Sequence, residues 1–319
     1  MADTRPAGAV VMAVYRPDPA LLQRQIDSLK AQTLGDWRCI VGIDGADDAT
    51  TDLVTQLVDG DTRFEVVTFT ENVGVYRHFE RLLRRVPAET TWVSLADQDD
   101  YWYPDKFERL VPVLWEDGVT AVLGQARVVD RAGPALGGTA RHPGDLVDTV
   151  LRNQLTGSFA LLRREVLETA FPFPPGTSIA IHDHWLAVCA ASQGRIALLD
   201  EIVQDYVQHE SNVLGEGRPL GVRQLWHVIG RQGGVRRYVD EVASDHWGWS
   251  VSMAAAVGER VGPLGYSRAL TAISKGRVSP ALVGCLARTV MRRQLSVVAA
   301  AGMAASAARW TSRVGRAVR

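Results

Sequence analysis

Residues 9–44, AVVMAVYRPDPALLQRQIDSLKAQTLGDWRCIVGID, decide the fold class. Two short runs rich in β-branched residues, Ala9–Tyr15 and Cys39–Asp44, lack polar alternation. That is the pattern of strands buried on both faces. Between them Leu21, Leu22, Ile26 and Leu29 recur at helical spacing over 19–32, behind Pro19, which suits a first helical turn. Strand, helix, strand is the unit of a parallel sheet. Outward from it the alternation continues: Phe64–Phe69 and Trp92–Ala96 read as strands, Thr50–Val58 and Tyr76–Leu83 as helices, and Val119–Val129 as a further strand. Asp130–Arg141, rich in Gly, Ala and Pro, reads as a loop. Arg163–Ala170 and His182–Ala191 read as helices separated by FPFPPG, and Ile196–Leu199 returns to strand character. Beyond Gly221 the pattern is mostly helical. The expected organisation is a disordered 1–8, an α/β domain with a mostly parallel sheet over 9–218, and a helical, Arg-rich region over 219–319.

Composition narrows the class. The 319 residues are 46% hydrophobic and 22% charged with a net charge of −1, far from disordered or collagen-like chains. Cys39, Cys189 and Cys285 form no CxxC pair, so neither a disulfide framework nor a structural zinc is indicated. Met1–Gly8 is short and polar, without a secretory signal, so a cytoplasmic protein is expected. The near-neutral total hides a division. Residues 220–319 carry 14 Arg and one Lys against two Asp and two Glu, whereas residues 1–219 carry 20 basic and 32 acidic side chains. The acidic part should hold cations, and the basic part should seek anions, phosphates or a lipid surface. Gln294–Ala308 is uncharged but spans only 15 residues, short of the roughly 20 that cross a bilayer. The arginines around it (Arg288, Arg292, Arg293, Arg309, Arg313) suit either a helix on the inner face of an anionic membrane or a solvated basic face. No nucleic-acid partner is expected, and a homo-oligomer stays open.

The candidate chemistry lies at strand ends. Asp97-Gln98-Asp99-Asp100 follows the strand WVSLA, at the carboxyl edge where open α/β sheets bind ligands. Alternate carboxylates there can face one point, and hard divalent cations take oxygen ligands, a diphosphate supplying the rest. Asp44 closes the strand CIVGID, placed to accept from a base N–H, while Asp47 and Asp48 fit a helix cap and first turn. No GxGxxG or GxxxxGK[ST] follows a strand, which excludes dinucleotide and P-loop readings. In His182-Asp183-His184-Trp185 the two histidines lie two apart on a helix and diverge, which argues against zinc. Asp183 fits a general base or a helix cap equally. His209, in YVQHESN, stands alone.

Taken in order, the segments AVVMAVYRPDPALLQRQIDSLKAQTLGDWRCIVGIDGADDATT, ENVGVYRHFERLL, SLADQDDYWYPDKFERL, LTGSFALLRREVLETAFPFP, IHDHWLAVCAASQGRIALLDE and YVQHESNVLG resemble glycosyltransferase family 2, with its GT-A fold, and within it the rhamnosyltransferase-like branch. The resemblance covers about residues 9–215. It implies transfer from a nucleotide-sugar donor (dTDP-rhamnose first, UDP-hexoses next) to a glycan, lipid-linked or small-molecule hydroxyl, with inversion, in polysaccharide, cell-envelope or metabolite glycosylation. It implies nucleotide contacts at Val14, Tyr15, Asp44 and Asp97, Mg²⁺ or Mn²⁺ at Asp99 with His209 nearby, and Asp183 as catalytic base. Trp102, His182 and Trp185 are placed at the donor or acceptor pocket, with core packing an equal account of the aromatics. Two positions depart from the family pattern: Ile43 precedes Asp44 where a second Asp is usual, and His182 precedes Asp183 where many relatives have Glu.

Other readings are weaker. Aspartyl phosphatases need their DxD after the first strand, and nucleotidyltransferases need a Gly-rich basic loop where this chain has YRPDP. A non-catalytic nucleotide-sugar or membrane-surface binding protein is the alternative, separated from an enzyme by whether donor is turned over.

Overall fold

The structure is a computed structural model that describes residues 8–131, 133–177, 179–208, 243–262, 267–291 and 297–317. The apolar runs are strands. β1 (Gly8–Val14) lies between β2 (Trp37–Asp44) and β4 (Trp92–Ala96), and β3 (Phe64–Phe69) borders β2, all in parallel. The helices between them start where side chains satisfy free backbone N–H groups. Asp18 Oδ1 accepts from the N–H groups of Ala20 and Leu21 at 2.9 and 3.1 Å, opening α1 (Pro19–Lys30) with Pro19 in its first turn. Asp47 accepts from Thr50 N–H at 2.7 Å and caps α2 (Asp48–Val58), the role expected of it.

The central strands β1 and β4 are continuous apolar runs because both faces are covered, whereas β3, at the sheet edge, is only partly buried. Val10, Met12 and Val14 of β1 join Leu22, Ile26 and Leu29 of α1 and Phe107, Leu110 and Leu114 of α4 (Lys106–Leu114) in one core. From the other face α3 (Gly74–Leu83) approaches β2 so closely that a Cβ on Gly42 would stand 2.3 Å from Leu82 Cδ2. A Cβ there would force the Leu82 side chain to move.

Past β4 the sheet becomes mixed. β4 pairs antiparallel with β8 (Ala160–Arg163), β8 antiparallel with β6 (Val119–Asp130), β6 parallel with β9 (Arg195–Gln208), and β9 antiparallel with the two-residue β5 (Tyr101–Trp102). The order is β3-β2-β1-β4-β8-β6-β9-β5. Three expectations need correction. The loop expected at 130–141 contains β7 (Ala135–Gly138), which pairs with β6; all its residues are exposed, so no apolar period marks it. The helix expected from Arg163 begins later, as α6 (Val166–Ala170), because Arg163 still pairs with Trp92. The strand expected at 196–199 runs on through Gln208.

The chain divides into two compact units. The first, within 8–143, 153–173 and 181–208, holds the whole sheet and α7 (His182–Gln193). The second takes in 144–152, 174–180 and the described residues from 243 onward. Two of its segments therefore come from within the span assigned to the α/β domain, while the expected boundary near 218 and residues 1–7 lie outside the described residues. This second unit is helical: α5 (Leu146–Leu151), a π-helical turn Ala243–Trp247, α8 (Gly248–Val261), α9 (Arg268–Ser274), α10 (Pro280–Met291) and α11 (Val297–Ala317). Hydrogen bonds fasten α5 within it, Thr289 Oγ1 donating to Asp148 Oδ1 at 2.7 Å and Ser250 Oγ to Val150 O at 3.1 Å. Among the described residues no helix is long and apolar enough to cross a membrane.

Candidate active site

Asp44 closes β2 with its carboxylate only 3% exposed, yet every charge on it is answered. Oδ1 accepts from Arg81 Nη2 at 2.6 Å and from Val73 N–H at 3.0 Å, and Oδ2 accepts from Gly74 N–H at 3.1 Å. The amides belong to the start of α3, where a helix terminus favours an anion. Arg81 is itself held: its Nε donates to His78 Nδ1 at 2.9 Å and its guanidinium lies 3.7 Å from the Phe69 ring centre. Because Nδ1 accepts, His78 carries its proton on Nε2 and donates to Gly42 O at 2.8 Å. Burial, first of all, holds that imidazole below its ordinary pKa.

Beside this cluster is a cavity of about 170 Å³ at the ends of β1 and β2, lined by Tyr15, Arg16, Ile43, Asp44, Thr70 and Asn72 among others. Tyr15 and Asp44 thus share one cavity, while the Val14 side chain is wholly in the core. The Tyr15 backbone is pinned by the acidic loop, its N–H donating to Gln98 Oε1 at 2.9 Å and its carbonyl accepting from Gln98 Nε2 at 3.1 Å. Gln98 therefore joins the residue after β1 to the DQDD segment. Sequence reasoning passed over it because a glutamine between aspartates carries no charge signal. Arg81 and His78 were missed for a related reason: their partner is 37 and 36 residues away, on another element.

The second cluster is compensated only in part. Asp97 follows β4 and is half-buried. Burial and the charges of Asp99 and Asp183 push its carboxyl up to about 7, against a hydrogen bond from Ser158. Asp97 thus feels both carboxylates at once, which brings the three expected residues into one electrostatic neighbourhood. Asp183 lies in the first turn of α7, 6% exposed. Its Oδ1 accepts from Asn153 Nδ2 at 2.8 Å and its Oδ2 from Gly157 N–H at 3.2 Å. Burial still prevails over these bonds and over the Arg141 guanidinium, and pushes its carboxyl up to about 6. A carboxylate so held is ionised at neutral pH and more basic than an exposed one.

The neighbouring aromatics divide. His182 stacks on Phe79 with ring centres 3.8 Å apart, and burial pushes it down to about 3, so it is neutral. Trp102 and Trp185 are both 0% exposed. Trp185 Nε1 donates to Ala170 O at 2.9 Å, and Trp102 packs edge-on against Phe107. Both belong to the core packing held open beside the pocket role, which corrects the pocket placement. His209 lies outside the described residues.

The donor chemistry suits a hard cation. Among the described residues no three His, Cys, Asp or Glu side chains group closely enough to hold an ion unaided. Asp97 and Asp99 nevertheless present carboxylate oxygens with excess negative charge, which a divalent cation completed by diphosphate oxygens would neutralise.

The glycosyl transferase family 2 model matches residues 9–171, which cover β1 through α6 and the DQDD loop. An uncharacterized glycosyltransferase of Nostoc sp. is 30% identical over 206 residues, which are 60% of this chain and 62% of that protein. The chain thus spans less than two thirds of that relative's length. Among solved structures, residues 1–349 of S. aureus TarS in complex with UDP-GlcNAc superpose with a TM-score of 0.55 at 14% identity, covering 97% of this chain and 92% of that one. The mannosyltransferase PcManGT of Pyrobaculum calidifontis, with GDP-Man and Mn²⁺, gives a TM-score of 0.50 at 18% identity over 96% of this chain and 87% of its own. These two likenesses concern the fold, which is of the GT-A type. With half of its length matched by the family model, and the sheet built as that family builds it, the chain belongs to glycosyl transferase family 2.

Proposed function

We propose that the chain transfers a sugar from a nucleoside-diphosphate donor to an acceptor hydroxyl with inversion at the anomeric carbon. One observation carries this reading: Asp97, at the end of β4, stands in the field of both Asp99 and the buried Asp183, which Asn153 and Gly157 hold in place. In this reading the nucleotide base enters the cavity beside Tyr15 and Asp44, and Asp44 has one acceptor position left after its three hydrogen bonds. Asp97 faces the ribose side. Asp99, with Asp97 and diphosphate oxygens, would hold Mg²⁺ or Mn²⁺, which supplies charge neutralisation to the leaving diphosphate. Asn153 and Gly157 orient Asp183, whose carboxylate takes the proton of the attacking hydroxyl from the face opposite the leaving group. Base and leaving group on opposite faces is what imposes inversion, as in glycoside chemistry.

The donor is narrowed by likeness. The rhamnosyltransferase-like motifs favour dTDP-rhamnose, and UDP-GlcNAc in the S. aureus TarS complex favours a UDP-sugar. The acceptor is a glycan, lipid-linked or small-molecule hydroxyl. A donor panel scored by nucleoside diphosphate release, with and without Mg²⁺ or Mn²⁺, tests the reading. Release from a dTDP- or UDP-sugar that stops on chelation supports it; binding without release in any condition leaves a sugar-nucleotide binding protein instead.

The basic region supports peripheral contact with an anionic lipid surface. On α10, Val283, Ala287 and Met291 form an exposed stripe four residues apart, with Arg288 beside it. Co-sedimentation with phosphatidylserine vesicles should fall with salt and with Met291→Asp/Arg288→Glu; unchanged sedimentation would remove this contact from the proposal.

A further inference from the structure

Lys106 is a lysine placed wholly in the core. It opens α4, is 0% exposed, and no carboxylate among the described residues stands within ion-pair distance of it. Lysine is rarely buried whole, because its ammonium loses water. Here three groups replace that water. The ammonium donates to the Ser158 carbonyl, donates to Gln204 Oε1 at 2.6 Å, and lies 3.2 Å from the Trp102 ring centre.

Each partner leads to the site already described. Gln204, on β9, uses its amide to donate to Asp100 Oδ2 at 3.0 Å and to Ser158 Oγ at 3.3 Å. Asp100, also 0% exposed, accepts on Oδ1 from Val207 N–H at 3.3 Å. Ser158 follows Gly157, whose N–H holds Asp183. One side chain therefore ties the acidic loop 97–100, strand β9 and the 157–159 turn together from beneath.

We propose that Lys106 is a positioning residue: it fixes the 157–159 turn, and with it Asp183, relative to the DQDD loop, so that both sides of the reaction meet one bound donor. The inference rests on the transferase reading of Asp183 and the DQDD loop. Burial pulls the Lys106 side chain well below its ordinary pKa, against the opposing pull of Asp100 and Asp97, so its hydrogen bonds rather than a fixed charge carry the positioning. Misplacement by about 1 Å far from the reacting atoms can cost about 100-fold in rate.

The test uses the full chain with three variants: Lys106→Met, the double variant Lys106→Met/Asp100→Asn, which removes the charge that Lys106→Met would strand, and Ile26→Ala, a core truncation away from the site. Positioning predicts a kcat lower by about 100-fold for both lysine variants with donor KM changed less than about threefold, while Ile26→Ala melts earlier with normal kcat. Hydrogen exchange supplies the readout that does not need turnover. The amides of Gly157 and Val207 should exchange at least about tenfold faster in the double variant, with those of β1 and β2 unchanged. If the double variant folds with normal kcat, or keeps the Gly157 amide as protected as in the parent, Lys106 is structural only and the proposal falls. If the parent releases nucleoside diphosphate from no donor, the transferase reading fails, and the exchange measurement still decides whether Lys106 holds the turn.

Discussion

Asp44 and Asp97 stand at the same kind of place, the carboxyl end of a parallel strand, and the protein treats them oppositely. Asp44 is given a guanidinium at 2.6 Å and two amide N–H groups. Asp97 is given two further carboxylates and is pushed up to about 7. The first has its charge balanced within the fold. The second is relieved only in part, by Ser158 and Lys106, against burial and two neighbouring carboxylates. One edge of one sheet thus carries a preorganised half and an electrostatically incomplete half, and the reaction proposed above uses both.

The comparison breaks most visibly at the base. Asp183→Asn keeps the hydrogen-bonding outline and removes the proton acceptor, so kcat should fall about 10³-fold while nucleoside diphosphate binding, measured by calorimetry, stays within about threefold. Near-normal turnover would return Asp183 to a structural role. Next in size is the incomplete half. Asp99→Asn, or chelation of the divalent ion, should lower activity about 100-fold or more, and should weaken diphosphate binding without weakening that of the free nucleoside. Equal affinity with and without Mg²⁺ would mean that the carboxylates of the DQDD loop hold no ion.

Acidity sharpens the contrast. With Asp183 at about 6, kcat/KM should fall tenfold per pH unit below that value, and the slope should vanish in Asp183→Asn assayed for donor hydrolysis. Stability runs the other way. The folded state holds this proton more tightly than the ordinary value of 3.8 provides, so the contribution is complete below about pH 4 and is lost as pH rises through about 6. Melting temperature against pH should therefore be flatter in the Asn variant. The smallest effect belongs to the finished half. Arg81→Met strands the Asp44 carboxylate on two amides, costing about 2 kcal/mol of stability and weakening nucleotide binding about tenfold, with kcat at saturating donor unchanged. A fall in kcat instead would show that the two halves are not separable.

How much of this could be read beforehand follows from where the physical signal resides. β1, β2 and β4 were legible because strands covered on both faces are largely apolar, and caps such as Asp18 and Asp47 act within three residues of themselves. β7 escaped because all its residues are exposed and nothing in their polarity marks a strand. β8 went unassigned apart from Arg163, read as the start of a helix, because so short an apolar run looks alike in either state. Trp102 and Trp185 could not be assigned between pocket and core by type alone, and only burial separated them. Lys106 drew no reading from the sequence, because its partners lie 52 and 98 residues away.

The sequence by itself determined the strand–helix alternation, the location of carboxylates at strand ends and the family, since each depends on local period or on ordered motifs. Only the tertiary structure decided which carboxylates are balanced. Charge compensation is set by distance in space, and the groups that compensate Asp44, support Asp183 and only partly relieve Asp97 come from elements that the chain order keeps apart.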